Sequence, residues 1–258
     1  MLSLSREEIH LWRIDQQHFS LDSLKKDYLH WLGAEEQGRY QRYYFDQHRQ
    51  QFLLTRIMTS LILSRYIRNA QAKSLCFISN EFGKPALAPG QADQPLFFNL
   101  SHSGSCLVVA VSRHEDIGID IEKMKPGRRF GKIAARFFSS SEARELSSMD
   151  ASLRADRFYR LWTLKEAYIK ACGMGLAIPL NDFSFSFPQS GSISVAFDVK
   201  RDDDPEQWQF WQIDAGPEFR LALALKSSSN NRIKHITSKE VLSVKEFVEG
   251  TANVLSRS

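Results

Sequence analysis

Cysteine is scarce in this sequence, and its spacing argues against two classes of protein. The chain has three cysteines, Cys76, Cys106 and Cys172, which lie far apart and form no C-x-x-C pair and no cluster with histidine. A disulfide-framed fold or a cysteine-bound zinc site needs several closely spaced ligands. We therefore expect reduced thiols that are buried in the fold.

Long apolar runs are also missing. The LVVAV run at 107–111 is far shorter than the roughly 20 residues that a membrane-spanning helix needs. The N-terminal stretch MLSLSREEIHLWRID has no continuous apolar segment of the kind found in signal peptides. We expect a cytoplasmic protein without a membrane partner.

A strong excess of one charge is absent, and so are two common nucleotide-binding motifs. The net charge of +4 is compatible with an acidic partner or a phosphorylated ligand, but it is too small to indicate nucleic-acid binding. The sequence contains neither a P-loop nor a G-x-G-x-x-G motif. We therefore expect no nucleic-acid partner and no fold built on either motif.

What remains is the composition of an ordinary globular protein. The chain has 258 residues, 43% hydrophobic and 25% charged, which suffices for one large domain or two of ordinary size. Hydrophobic periodicity predicts helices at 22–31, 35–45, 46–67, 139–149, 156–172 and 239–248. It predicts strands at 9–14, 75–79, 96–100, 106–112 and 116–122, and in the segments FSFSF, ISVAFDV, WQFWQI and FRLALAL.

Both halves of the chain follow one order, a helical segment and then paired strands. This order predicts an α+β fold with two similar α/β subdomains in a pseudo-twofold arrangement. We place the subdomains at 1–114 and 115–258, so that the segment DIGIDIE opens the second half. A ligand site is then expected at the interface of the two subdomains, where such sites often lie.

The segment DIGIDIE at 116–122 carries two carboxylates on one side of a predicted strand. Side chains alternate along a strand, so the isoleucines at 117, 119 and 121 share one face, and Asp120 and Glu122 share the other. One interpretation is an edge strand with a solvated acidic face. The other is a hard-metal site, because carboxylates together with substrate phosphates suit Mg²⁺.

Three further motifs each allow a structural and a functional interpretation. Glu166 and Lys170 share a helix face, either as a surface ion pair or in a cleft. In FNLSHSG, Ser101 and His102 point in opposite directions, which argues against a nucleophile–base pair and leaves a phosphate contact or an ordinary turn. Lys84 in EFGKP presents a cation on a constrained loop.

The order of the motifs is more informative than any one of them. FNLSHSG, GIDIE, a basic stretch, FF-S-x-x-E and LW-x-x-K-E-A-Y-I-K-x-x-G-x-G-L follow one another within residues 39–187. This pattern resembles the surfactin-synthetase-activating type of 4′-phosphopantetheinyl transferase, which is the long, pseudo-dimeric form. The resemblance implies a monomeric, Mg²⁺-dependent enzyme. Such an enzyme transfers the phosphopantetheine arm of coenzyme A to a serine of an acyl or peptidyl carrier protein and releases adenosine 3′,5′-bisphosphate.

The resemblance also implies roles for individual residues. Asp120, Glu122 and Glu166 would hold Mg²⁺ with the pyrophosphate of coenzyme A. Contacts to coenzyme A would come from Arg39, Lys84, Ser101, His102, Asp120 and Lys170, with Arg42 or Arg49 as alternatives to Arg39. The catalytic set would be Glu166, Lys170 and Glu142, and the base for the serine proton would be Glu166, Glu142 or a metal-bound water.

The basic stretch at 123–136 has two interpretations. It contains six cations and no acid: Lys123, Lys125, Arg128, Arg129, Lys132 and Arg136. It would either steer an acidic carrier protein to the site or form a solvated basic helix. Three other functions stay open: another Mg²⁺-dependent phosphotransferase acting on a nucleotide pyrophosphate, a nucleic-acid-binding module, and a non-catalytic interaction protein. The identity of the carrier, the use of acyl-coenzyme A and the choice between Mg²⁺ and Mn²⁺ are open as well.

Overall fold

The structure is a computed structural model that describes residues 1–125, 130–227 and 231–258. Its α-helices are α1 (Leu21–Tyr28), α2 (Ala34–Arg42), α3 (Asp46–Ser64), α4 (Phe130–Phe137), α5 (Ser140–Ser148) and α6 (Ala151–Cys172). Its strands are β1 (Glu8–Asp15), β2 (Phe77–Ser79), β3 (Pro85–Leu87), β4 (Phe97–Ser103), β5 (Cys106–Ser112), β6 (Ile117–Lys123), β7 (Phe183–Ser186), β8 (Ser194–Phe197), β9 (Trp208–Ile213), β10 (Phe219–Lys226), β11 (His235–Val241), β12 (Phe247–Thr251) and β13 (Val254–Arg257). Among the described residues, none of these helices has the length and apolar character needed to cross a membrane.

The first sheet has the strand order β12-β11-β1-β5-β4, and α3 covers one of its faces. Strand β1 lies in the middle, antiparallel to β5 and parallel to β11. Its side chains alternate between two cores. Trp12 and Ile14 pack with Leu53 and Ile57 of α3, whereas Leu11 belongs to the core on the other face of the sheet.

The second sheet has the strand order β13-β9-β10-β6 and is covered by α6. Phe158 and Tyr168 of α6 pack with Phe210 of β9 and Ala222 of β10 in one buried cluster. The remaining faces of the two sheets meet in a third cluster, which includes Ile9 of β1, Val108 of β5, Ile119 of β6 and Leu223 of β10. The layers are therefore helix, sheet, sheet and helix, and the predicted α+β fold of two similar subdomains is confirmed.

Most predicted elements are confirmed, but the predicted helix at 239–248 is wrong. This segment contains the end of β11 and the start of β12, which pair as antiparallel strands. Strand β11 in turn runs parallel to β1, and Thr237 Oγ1 donates a hydrogen bond to Glu8 Oε1 across 229 positions of sequence. A partner strand that distant decides the local structure, and the local pattern gives no sign of it. The boundary near residue 114 stays a prediction.

The three cysteines form no disulfide, as expected. The prediction that the thiols are buried is confirmed for Cys106, which lies on β5. It is wrong for Cys76, which is exposed, because it precedes the short surface strand β2 rather than lying inside either sheet. Cys172, at the end of α6, is half-buried.

Gly118 sets the distance between β6 and α6. A Cβ atom at this position would lie 2.0 Å from the carbonyl oxygen of Ala167 and 2.4 Å from the backbone nitrogen of Ala171. Both neighbours are backbone atoms of α6, so no side-chain rotation relieves the overlap. The glycine therefore permits the close contact that places α6 directly against the strand carrying Asp120 and Glu122.

We predict that Gly118→Ala lowers the free energy of unfolding by about 3 kcal/mol, because the added methyl group forces α6 away from β6. In a chain of this size that change lowers Tm by roughly 6–12 °C. Thermal unfolding followed by circular dichroism measures it. Gly38→Ala is the matched control, since Gly38 is exposed in α2 with no atom near its Cβ position. Equal Tm values for the two variants would contradict the prediction.

Candidate active site

Side chains of β4 bind the outer edge of β6. Within its sheet β6 pairs with β10, and its other edge faces β4 of the first sheet. The backbone nitrogen of Ile119 donates to Asn99 Oδ1 (2.9 Å), and that of Lys123 donates to Ser103 Oγ (2.9 Å). We call this contact between β4 and β6 the seam. These hydrogen bonds fix the position of the β6 carboxylates along the edge of β4.

Asp120 is the most buried acid at the seam, with 4% of its surface exposed. Its Oδ1 accepts hydrogen bonds from Ser101 Oγ (2.9 Å) and from Lys170 Nζ (2.6 Å). Lys170 Nζ also donates to Ser101 Oγ (2.9 Å), so the three groups form a closed triangle. Burial raises the pKa of Asp120, while the Lys170 ammonium opposes that rise.

Glu166 and Glu122 complete a group of three carboxylates. Glu166 lies one helical turn before Lys170 on α6, and Glu122 Oε2 accepts a hydrogen bond from Ser103 Oγ (3.1 Å). Burial, the charge of Asp120 and the charge of Glu122 raise the pKa of Glu166 to about 7, although Lys170 opposes them. The charges of Asp120, Glu122 and Lys170 therefore all act on the Glu166 carboxylate.

The carboxylates can be tested against Mg²⁺, which the sequence resemblance implies. Three carboxylates offer the oxygen donors that this ion prefers. Asp120 Oδ2 is a buried acceptor that no described group binds, which is unusual for a buried oxygen. Within the described ranges, however, no group of three or more His, Cys, Asp or Glu side chains is arranged to hold a metal ion. The donors thus fit Mg²⁺ in their chemistry, and the Lys170 ammonium is the cation beside Asp120 in this arrangement.

The opposite face of β4 lines a cleft of about 550 Å³. Phe98, Leu100 and His102 of β4 lie in its wall, and Arg39 of α2 lies in it too. The alternation along β4 therefore separates Ser101, at the seam, from His102, in the cleft, as the sequence predicts. Burial lowers the pKa of His102.

Arg39 is the one of the three candidate arginines that lines this cleft among the described residues. Its guanidinium lies over the Phe52 ring, 5.3 Å from the ring centroid. Arg49 instead donates to Asp46 Oδ1 (2.9 Å), and Arg42 is exposed at the end of α2.

Glu142 is not brought to the seam. It is 1% exposed, and both of its carboxylate oxygens have structural partners. Oε1 accepts from the backbone nitrogen of Phe185 (2.9 Å), and Oε2 accepts from Ser139 Oγ (2.8 Å) and from Lys165 Nζ (2.9 Å). Lys165 is fully buried and also donates to the carbonyls of Leu180 and Phe183. These contacts fasten α5 to α6 and to β7.

Lys84 binds backbone carbonyls rather than the side chain of another candidate. Its Nζ donates to the carbonyl of Ala171 (2.8 Å) near the end of α6, and to the carbonyl of Glu115 (3.2 Å). The basic stretch is described in part: Arg128 and Arg129 lie outside the described residues, whereas Lys132 and Arg136 are exposed on α4.

Sequence reasoning missed Asn99 and Ser103, which bind the backbone and a carboxylate of β6. A signal was present, because Asn99, Ser101 and Ser103 follow one another at strand spacing and therefore share a face. It missed the structural role of Glu142 as well, because nothing near Glu142 in the sequence marks Lys165 as its partner.

Two family models match consecutive parts of the chain. The one described as 4′-phosphopantetheinyl transferase, N-terminal, matches residues 12–114, and the one described as 4′-phosphopantetheinyl transferase superfamily matches residues 116–224. The 4′-phosphopantetheinyl transferase HetI of Nostoc sp. is 37% identical over 178 residues, covering 68% of this chain and 73% of that protein. A 4′-phosphopantetheinyl transferase of Bacillus subtilis is 37% identical over 201 residues, covering 74% and 81%. The 4′-phosphopantetheinyl transferase Sfp of Bacillus subtilis strain 168 is 32% identical over 197 residues, covering 76% and 84%.

We predict that Glu166 makes the metal-free protein less stable as the pH rises. Its pKa is about 7 in the fold against an ordinary value of 4.5. The protonated form, which the fold prefers, is fully present below pH 4.5 and is lost as the pH rises through 7. Between pH 5 and pH 8 this loss costs more than about 1.4 kcal/mol, which is the value of one pKa unit.

Glu166→Gln tests the prediction, because the amide stays neutral at every pH. Urea unfolding in a chelating buffer at pH 5 and pH 8 would show a smaller difference in stability for the variant than for the original chain. Glu206→Gln, at an exposed position, is the control. An unchanged pH dependence in Glu166→Gln would contradict the raised pKa.

Proposed function

The chain belongs to the 4′-phosphopantetheinyl transferase superfamily, and on this premise we propose that the seam is where it transfers a phosphopantetheine arm. The donor is coenzyme A, the acceptor is a serine of an acyl or peptidyl carrier protein, and the other product is adenosine 3′,5′-bisphosphate. One observation supports this location for the transfer. Strand β4 holds Ser101 against Asp120 and Lys170 on one face, and its other face lines a cleft with His102.

The cleft is proposed to take the nucleotide end of coenzyme A. Its volume of about 550 Å³ lies within the usual range for small-molecule and cofactor sites. Arg39 would bind a phosphate of the nucleotide, because a guanidinium is a strong donor to phosphate oxygens. His102 would donate to the phosphates from β4, which leads from the cleft to the seam.

The pyrophosphate would then lie at the seam, beside Lys170. The Lys170 ammonium is held by Asp120 and Ser101, so it has a fixed place from which to donate to phosphate oxygens. Asp120, Glu122 and Glu166 would hold Mg²⁺, which when bound neutralises the charge that builds up on the pyrophosphate.

Glu166 is proposed to take the proton of the carrier serine. The serine oxygen forms a bond to the β-phosphorus, and the bond from that phosphorus to the bridging oxygen breaks. Adenosine 3′,5′-bisphosphate leaves with the electron pair. A base must lie within hydrogen-bond reach of the proton that it takes, and Glu166 lies one helical turn from Lys170, beside the proposed position of the pyrophosphate. Glu142 is less suited, because both of its oxygens already accept hydrogen bonds inside the fold.

The carrier protein is proposed to dock on the exposed face of α4. Lys132 and Arg136 lie one turn apart on this helix, both exposed, while Ala134 faces the core. The helix packs against α6, which carries Glu166 and Lys170. An acidic carrier would be steered by such cations. Because both sides of the seam come from one chain, we propose that the enzyme acts as a monomer.

The central test of the proposed function is an intact-mass measurement on an apo carrier protein incubated with the enzyme, coenzyme A and Mg²⁺. We expect the carrier to gain the mass of one phosphopantetheine arm. Asp120→Ala and a chelator should each abolish the gain, while Asp93→Ala, at an exposed position that does not line the cleft, should retain it. An unmodified carrier, tried with several unrelated carriers, would overturn the proposed function.

A second test addresses docking. Reversing both charges on α4, with Lys132→Glu and Arg136→Glu, should raise the KM for the carrier about tenfold and change the KM for coenzyme A by less than about twofold. Steady-state kinetics with each substrate varied in turn measures both values. Lys26→Glu with Lys73→Glu makes the same charge change at exposed positions of the first half. Equal effects on the KM values of both substrates, or equal effects of the α4 pair and the control pair, would contradict the docking proposal.

A further inference from the structure

A loop of the first half holds the end of α6. Residues 80–84, between β2 and β3, form this loop, which we call the 80–84 loop. Asn80 Nδ2 donates to the carbonyl of Gly173 (2.7 Å), and Lys84 Nζ donates to the carbonyls of Ala171 (2.8 Å) and Glu115 (3.2 Å). The loop therefore contacts both the last turn of α6 and the chain segment that leads into β6.

The 80–84 loop is itself fixed by the same asparagine. Asn80 Oδ1 accepts hydrogen bonds from the backbone nitrogens of Phe82 (3.1 Å) and Lys84 (2.8 Å). Gly83 has a φ of +86°, a conformation that glycine adopts without steric strain. One amide side chain thus folds the loop with its oxygen and binds α6 with its nitrogen.

The end of α6 needs such partners. The last carbonyls of a helix have no donors within the helix, and the helix dipole makes this end negative. Gly173, with a φ of +68°, closes the helix by donating its backbone nitrogen to the carbonyls of Ile169 and Lys170. Lys84 supplies a cationic donor to the next carbonyl, that of Ala171. Contact is close, since a Cβ on Gly173 would lie 3.0 Å from Lys84 Cδ.

The neighbours of Lys84 point elsewhere. Gly83 and Pro85 line the cleft proposed for the nucleotide, whereas Lys84 directs its ammonium to α6. Within the G-K-P motif, the two flanking residues therefore form part of the wall of the cleft, and the lysine holds the end of α6 in place. Lys170 and Glu166 lie within the two turns of helix that this anchor fixes.

We propose that Lys84 and Asn80 are positioning residues, which act on the transfer by holding the last turns of α6, and with them Lys170 and Glu166, against the seam. This inference rests on the proposed function. It differs from the role that the sequence resemblance implies for Lys84, which is a contact with the 3′-phosphate of coenzyme A. The two roles predict different responses to removal of that phosphate.

The test compares coenzyme A with 3′-dephospho-coenzyme A as donors, using Lys84→Met, Lys84→Arg and Asn80→Ala. A displaced Lys170 should lower kcat about tenfold to a hundredfold in Lys84→Met, equally for both donors. The ratio of kcat/KM between the donors should stay as in the original chain. Lys84→Arg should recover much of the rate, because a guanidinium also donates to carbonyls, and Asn80→Ala should behave like Lys84→Met.

Arg39→Met is the comparison variant, because Arg39 lines the cleft proposed for the nucleotide. It should reduce the preference for coenzyme A over its dephospho form. The same loss of preference in Lys84→Met, with kcat unchanged for the dephospho form, would overturn the positioning role and support a phosphate contact.

Hydrogen exchange at residues 169–173 gives a second readout that is independent of transfer. The amides there should exchange faster in Lys84→Met and Asn80→Ala than in the original chain, and Lys84→Arg should restore protection. Unchanged exchange in both would overturn the proposal. If the original chain transferred no arm from either donor, the proposed function would fail, while the exchange data would still decide whether the loop anchors α6.

Discussion

The ion pair between Lys170 and Asp120 is the interaction on which the site depends. Asp120 is buried beside two further carboxylates, and a buried charge without a partner is strongly destabilising. Lys170 Nζ, 2.6 Å from Asp120 Oδ1, supplies that partner from α6. Ser101 of β4 binds both groups, so one triangle joins a strand from each sheet and the helix that covers the second. A ligand that draws Lys170 toward its phosphates must replace the positive charge beside Asp120.

Strand β4 organises the site because it has two useful faces. Asn99, Ser101 and Ser103 bind the edge of β6, and Phe98, Leu100 and His102 line the cleft. A shift of register by one residue would exchange the two sets, so the pairing of β4 with β5 fixes which residues reach β6 and which line the cleft. The short strand thus links the proposed nucleotide site to the carboxylates without any intervening loop.

Local patterns predicted the parts of the fold that depend on near neighbours. The alternation in DIGIDIE gave the face of Asp120 and Glu122, and the spacing of Glu166 and Lys170 gave their common helix face, because both follow from backbone geometry. The partners of Glu142 and Lys84 were not predictable in this way, since Lys165, Ala171 and Glu115 meet them only after the chain has folded. The prediction of a helix at 239–248 was wrong for the same reason, because the pairing of β11 with β1 overrides the local helical pattern.

The return of the chain to the first sheet has a consequence for its synthesis. Strand β1 is synthesised long before β11, which completes one of its edges and comes after most of the second half. Until then β1 carries a row of unpaired backbone groups, and an open edge of this kind invites pairing with other chains. The first half therefore emerges as an incomplete sheet, and its protection in the cell depends on how soon β11 is available to pair with β1.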